Sequence, residues 1–206
     1  MAIIFICLTG CKKNEKPVVF PVALYAERIE IASSTRLYTK DGEIKDPQKV
    51  AMFVKDLVVF RWENDDTNKG QLAITFPSKE KAIFGEQTYQ FDVAQTCDQF
   101  LFTSEIQYST VPANRDDYRT HILKYKNVVT LPFANDQVRE VRVGYGNYTQ
   151  LRIPMMAYAT HIGDNSSSSK STGISNNEFD LAALSYLKAN DTLAVKVYNV
   201  ICKAKQ

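Results

Sequence analysis

Past Val22 the chain is cut into short apolar runs by turn residues, roughly one run for every 8–12 positions. That spacing limits the fold more than any other feature. Leu57–Trp62, Gln71–Phe76, Lys81–Phe84, Thr88–Val93, Gln99–Thr103, Ile106–Thr110, His121–Lys126, Val138–Gly144 and Tyr148–Ala159 all read as strands. Asn64-Asp65-Asp66, Pro77-Ser78, Pro112-Ala113-Asn114, Asn135-Asp136 and Gly146-Asn147 break the chain between them. Many short strands in series imply an antiparallel barrel or sandwich. In "VREVRVGYG" the positions Val138, Val141 and Val143 do not keep one register, which predicts a bulge or bend.

The flanking segments add strands and two short helices. "VALYAERIEI" (Val22–Ile31) carries strand alternation over Arg28 to Ile31, and Asp41-Gly42 in "TRLYTKDGEI" marks a tight turn. Asp46 can cap a helix that Pro47 begins, because proline lacks only an N–H that is unsatisfied at that position. Val50, Phe53, Val54 and Leu57 then form one apolar stripe, on a helix expected to end near Asp56 or Leu57. "GDNSSSSKSTGISNN" (Gly163–Asn177) has no apolar period and reads as a loop. Phe179, Ala182, Ala183 and Tyr186 lie on one helical face, and "TLAVKVYNVIC" closes the chain as a strand alternating at Leu193, Val195 and Val197. Tyr and Phe number 11 each against 8 Gly, which favours strands. The expected fold is therefore mainly β: an antiparallel β-barrel or a β-sandwich with one or two short packing helices. A chain of 206 residues suits one such domain.

Several functions are disfavoured at this level. A net charge of +2, with lysine and arginine spread along the chain, argues against a nucleic-acid partner. A zinc site would need both histidines, His121 and His161, plus a carboxylate or a cysteine; neither sits in an H-x3-H arrangement, each reads as a structural or surface histidine, and no G-x-S-x-G nucleophile elbow is present. "NDDTNKG" fails as a calcium loop, because its glycine comes one place late and Thr75 stands where the bidentate Glu belongs. The paired carboxylates Asp65-Asp66 and Asp116-Asp117 sit in charged turns. Gly144-Tyr145-Gly146 lacks the following helix that a phosphate cradle needs. No metal, cofactor or catalytic residue is expected.

Aromatic side chains are the remaining lead. Trp62, Tyr118, Tyr145 and Tyr148 stand beside polar connectors. Aromatics at loop tips can stack on sugars or line an apolar cavity. The alternative is that they pack the barrel ends and the seam between helix and sheet.

The N-terminus supplies an address. Ala2–Leu8 is apolar, far shorter than the ~20 residues of a spanning helix, and has the length of a secretory h-region. Leu8-Thr9-Gly10-Cys11 resembles the lipobox of bacterial lipoproteins. The resemblance implies a signal peptide over residues 1–10, cleavage after Gly10, and a diacylglycerol on the Cys11 sulfur. Residues 11–21 then form a lipidated tether and 22–206 a single β-rich domain. "CKKN", "RLYTKDGEIKDPQKVAMFV" and "NDTLAVKVY" resemble small Bacteroidetes lipoproteins of unknown function. That implies lipid anchoring to the outer membrane, on either its periplasmic or its surface-exposed face. By the same resemblance Asp191-Thr192-Leu193 looks like a short O-glycan acceptor. An exported chain meets an oxidising compartment, where Cys97 and Cys202 could bridge, the alternative being two separate thiols.

The expectation for function is a non-enzymatic binding or accessory module in the cell envelope, holding a small apolar, glycan or peptide ligand. By fold analogy a lipocalin-like barrel would enclose it. The alternative is a structural or interaction subunit of an outer-membrane complex.

Overall fold

The computed structural model of the chain describes residues 17–61, 69–85, 90–109, 137–163, 168–176 and 178–205. The strands are β1 (Val22–Ile31), β2 (Arg36–Thr39), β3 (Gly42–Ile44), β4 (Leu72–Ser78), β5 (Lys81–Phe84), β6 (Gln90–Thr96), β7 (Gln99–Ser109), β8 (Gln137–Gly146), β9 (Gln150–Gly163), β10 (Ser168–Ser175) and β11 (Thr192–Ala204). One α-helix, α1 (Pro47–Val54), and 3-10 turns at Val58–Phe60 and Leu181–Tyr186 complete the described elements.

Eight strands taken in chain order, β1, β4, β5, β6, β7, β8, β9 and β11, each pair antiparallel with the next, and β11 pairs back onto β1. The protein is a closed, eight-stranded antiparallel barrel, the first of the two expected architectures. Two segments interrupt this meander. β2, β3 and α1 lie between β1 and β4, while β10 and the Leu181–Tyr186 turn lie between β9 and β11. Both add strands to the same extended ladder. β2 pairs with the start of β11, and β10 with the far half of β9.

Aromatic rings fill the described part of the lumen. Alternate residues of a strand face one side, so Phe76 on β4, Phe91 on β6, and Phe100 and Phe102 on β7 all turn inward and are fully buried. Phe76 lies 5.7 Å from Phe100 and 5.0 Å edge-on to Tyr148, and Phe84 lies 5.0 Å edge-on to Phe102. These are favourable aromatic spacings. An eight-stranded barrel is only wide enough for its side chains to fill. Two residues of β8 take part by size and charge. Gly144, opposite Phe100, leaves room for Leu151, whose Cδ2 would sit 3.1 Å from a Cβ there. Arg142, opposite Phe102, lays its guanidinium over Phe84 at 4.5 Å and Phe91 at 5.0 Å.

Helix α1 covers the inner face of the side sheet. Asp46 caps it by accepting from the Gln48 and Lys49 N–H groups, with Pro47 at the first turn. Its stripe Val50, Phe53, Val54 and Leu57 packs on Leu37, Phe60, Ala159 and Ala194. Lys196 is buried on that inner face, donating to the Phe60 carbonyl at 3.1 Å with its ammonium 5.2 Å from the Tyr198 ring.

Several expectations need correction. The run at Leu57–Trp62 forms a 3-10 turn at Val58–Phe60, because Phe60 has to drop into the cluster under α1. The serine-rich segment holds strand β10, whose backbone pairs over eight positions with β9 and needs no apolar side chains to do so. Gln99–Ser109 is one strand, and its register against β8 slips between Thr103 and Gln107, opposite the predicted irregularity. Helix α1 ends at Val54, and the Leu181–Tyr186 segment is 3-10 rather than α-helical. β11 does not simply alternate: Leu193, Ala194, Val195 and Lys196 are all buried, because elements cover both of its faces. The Cys97–Cys202 bridge is not formed. Cys202 is a free thiol, fully buried in the barrel between Ala26 and Leu151, whereas Cys97, at the exposed β6–β7 turn, is disulfide-bonded but not to Cys202, so the two are not a pair of separate thiols either. The strand expected at His121–Lys126, the carboxylate pairs, and the signal and tether up to residue 16 lie outside the described residues.

Two outcomes follow from this packing. Phe76→Ala removes a ring from the centre of the cluster and is expected to cost about 3–5 kcal/mol. Met52→Ala, on an exposed site of α1, is expected to stay within about 0.5 kcal/mol. Urea unfolding checks the contrast, and equal losses would show that the lumen is not the stabilising core. Burial also pushes the Cys202 thiol from its ordinary 9.0 up to about 12. Native protein at pH 8 should leave Cys202 unmodified by iodoacetamide, and guanidinium-unfolded protein should not. Between those values the unfolded chain loses a proton that the folded one keeps, so this thiol's contribution to stability declines as pH rises from 9.0 to about 12.

Candidate functional site

The β9–β11 ladder changes neighbours on both sides at one level. On one side β9 pairs with β8 up to Arg152, and with β10 from Met156 onward. Pro154 stands in the gap, where a residue with no N–H to give a ladder is least costly. On the other side β11 pairs with β1 down to Tyr198, and with β2 from Val195. There the Ala32 and Ser33 N–H groups both donate to the Val197 carbonyl, at 2.9 and 3.1 Å. The barrel and its side sheet therefore fork at Met156–Pro154 and Val197–Asn199, which are paired residues of adjacent strands.

A cleft of about 390 Å³ lies over this fork, on the outer face of the ladder. Its floor is Pro154, Val195 and Val197. Ser33, Arg36 and Tyr38 form one wall, and Phe179 and Leu181 the opposite cover. Strand register explains the wall: Arg36 pairs with Val195 and Tyr38 with Leu193, so both share the outward face with the floor. The cover is placed by the 3-10 turn, which Asp180 caps by accepting from the Ala182 N–H, and by Tyr38 against Phe179 at 5.6 Å.

Charge is distributed unevenly along the cleft. At one end Arg152 donates to Asn199 Oδ1 at 3.0 Å and lies 4.4 Å over the Tyr145 ring. The Tyr145 hydroxyl donates in turn to Glu178 Oε1 at 2.9 Å. At the other end Arg36 is exposed. The Tyr38 oxygen beside it, and then Glu43, push its pKa above the ordinary arginine range. The Tyr38 hydroxyl is itself buried, its oxygen turned to the Arg36 guanidinium, and its O–H meets no acceptor. A buried donor left unmade is costly and uncommon.

The expected aromatics separate. Tyr145 stands at the cleft margin, as described. Tyr148 plugs the barrel, edge-on to Phe20 at 5.2 Å, Phe76 at 5.0 Å and Phe100 at 5.1 Å, and donates to the Lys79 carbonyl at 3.3 Å. Trp62, Tyr118 and the lipid-attachment residue Cys11 lie outside the described residues. Among the described residues no group of three or more His, Cys, Asp or Glu could hold a metal ion. Sequence reading missed Arg36, Tyr38, Arg152, Glu178 and Asn199. The one local signal was Arg36-Leu37-Tyr38, which puts an arginine and a tyrosine on the same face of a short strand. No protein-family model, no curated protein and no solved structure matches the chain.

Proposed function

We propose that this chain is a non-enzymatic binding module of the cell envelope, anchored to the outer membrane by lipid on Cys11, which holds a small ligand in the fork cleft. The observation that supports it is the cleft itself. It combines an apolar floor with a few convergent polar groups, the usual make-up of a small-molecule site. The lumen is the weaker candidate, because buried rings occupy its described part. The lipobox-like Leu8-Thr9-Gly10-Cys11 supports the anchor. Two or more acyl chains, each methylene worth about 0.8 kcal/mol when buried, would hold the domain firmly at the bilayer.

Two measurements test the proposal. Cells fed radioactive palmitate should label the full chain and fail to label Cys11→Ala; equal labelling would refute the anchor. Native mass spectrometry of the chain extracted in mild detergent should find a small co-purifying mass. Val197→Trp, which fills the cleft floor, should remove that mass. A mass retained by Val197→Trp, or a chain that emerges empty but bound to one protein partner, would overturn the cleft in favour of an interaction subunit.

A further inference from the structure

We propose that the Arg36–Tyr38 end of the cleft is a carboxylate subsite and that the ligand is a small monocarboxylic acid with an unbranched apolar body. The inference rests on reading the cleft as a binding site, and it names what that site selects.

Two side chains on one face of β2 keep donors to spare. The exposed Arg36 guanidinium lies against the Tyr38 oxygen and forms no ion pair among the described residues, and the Tyr38 O–H is buried without an acceptor. Both line the same cleft. Glu43, paired with Tyr38 on β3, is the one described carboxylate that acts on Arg36, and it does so without forming an ion pair. A planar carboxylate can accept from a guanidinium and a phenol at once, and its charge makes both hydrogen bonds stronger than neutral ones. A neutral amide or alcohol would satisfy the phenol but leave the guanidinium's charge unanswered. An ammonium group would offer only further donors.

The opposite end argues for one anionic group rather than two. Arg152 is already held by Asn199 and the Tyr145 ring, and Tyr145 brings the Glu178 carboxylate to the same place. Between the two ends the floor is apolar. Val195, Val197 and Asn199 are successive outward residues of β11, so the trough runs about 13 Å at ~3.3 Å per residue. An extended chain of octanoate length lies along it.

The test uses three probes with one body: octanoate, octanamide and octylamine. Each is titrated into the mature chain while the methyl resonances of Val195 and Val197 are followed. Octanoate should shift them, octanamide should bind at least tenfold more weakly, and octylamine should not bind. Arg36→Gln, at an exposed position, should weaken octanoate at least fivefold and leave octanamide unchanged. Tyr38→Phe should also weaken octanoate, with little change in thermal stability, since the O–H it removes donates to nothing and the guanidinium beside it is exposed to water. Octanamide binding as tightly as octanoate, or octanoate affinity unmoved by Arg36→Gln, would overturn the carboxylate subsite while leaving the cleft as a binding site. No shift from any probe also overturns the subsite, and the Val197→Trp experiment reports on the cleft independently of this series.

Discussion

Everything distinctive in this fold hangs on one ladder, the twelve antiparallel pairs between β9 and β11. Its Gln150–Met155 and Tyr198–Lys203 part closes the barrel. The remainder runs past the barrel and carries a second sheet, with β10 on one flank and β2 and β3 on the other. A pair of strands this long cannot keep the same neighbours throughout, because a closed barrel and a flat extension need different partners. The fork is the geometric result. At the start of the ladder the β8–β9 turn is equally constrained. Gly146 has φ +133°, and a Cβ there would lie 2.3 Å from the Gln150 carbonyl oxygen, so only glycine closes that turn without displacing the strand.

The two faces of the shared ladder do different work. Its inner face continues from Cys202 and Leu151 in the lumen, past Lys196, to Ala194 and Ala159 beneath α1. That face is closed by bulk: rings in the barrel, then a helix and a 3-10 turn over the sheet. Among the described residues the outer face is covered by the short Leu181–Tyr186 turn with Phe179 and Leu187 beside it, which buries Ala183 and Leu187 while Leu181 and Tyr186 remain largely exposed. Space is therefore left on the outer face, at the level where neither sheet supplies a neighbour.

What could be read from sequence follows the range of the interactions involved. Asp46, Pro47 and the Val50–Leu57 stripe act within two turns of chain, and the helix starts where they place it, although it ends at Val54, short of the stripe's last residue. Lys81–Phe84 is bounded by turn residues on both sides, and its strand has the predicted limits. Barrel closure needs β11 to meet β1 across most of the chain, and only the number and spacing of runs hinted at it. β10 was hidden because an edge strand of serines is held by backbone bonds, which leave no apolar period. The cleft was hidden for a related reason. Arg36, Arg152 and Glu178 come from three separate segments and meet only once β2, β9 and the chain after β10 have found the same ladder. Tyr145 and Tyr148 looked alike in sequence, three residues apart beside one turn. Tyr145 pairs with Arg152 on the outer face, while Tyr148 follows the turn and its ring enters the barrel end.

The division between a filled lumen and an open fork also bears on how such a barrel could hold a ligand. Each fully buried ring in the lumen contributes on the order of 3–5 kcal/mol to the folded state. Displacing two of them would consume most of the margin of an ordinary domain and exceed what a ligand of a dozen atoms gains on binding. A ligand in the fork displaces no ring. There it meets a floor of Pro154, Val195 and Val197, and a phenol whose hydrogen bond the unliganded fold leaves unmade. Folding bears the cost of that unmade bond, and a ligand that completes it recovers that cost. In this molecule the aromatic core and the proposed binding cleft lie on opposite faces of one pair of strands. A change on the inner face should register mainly in unfolding, and one on the outer face mainly in binding.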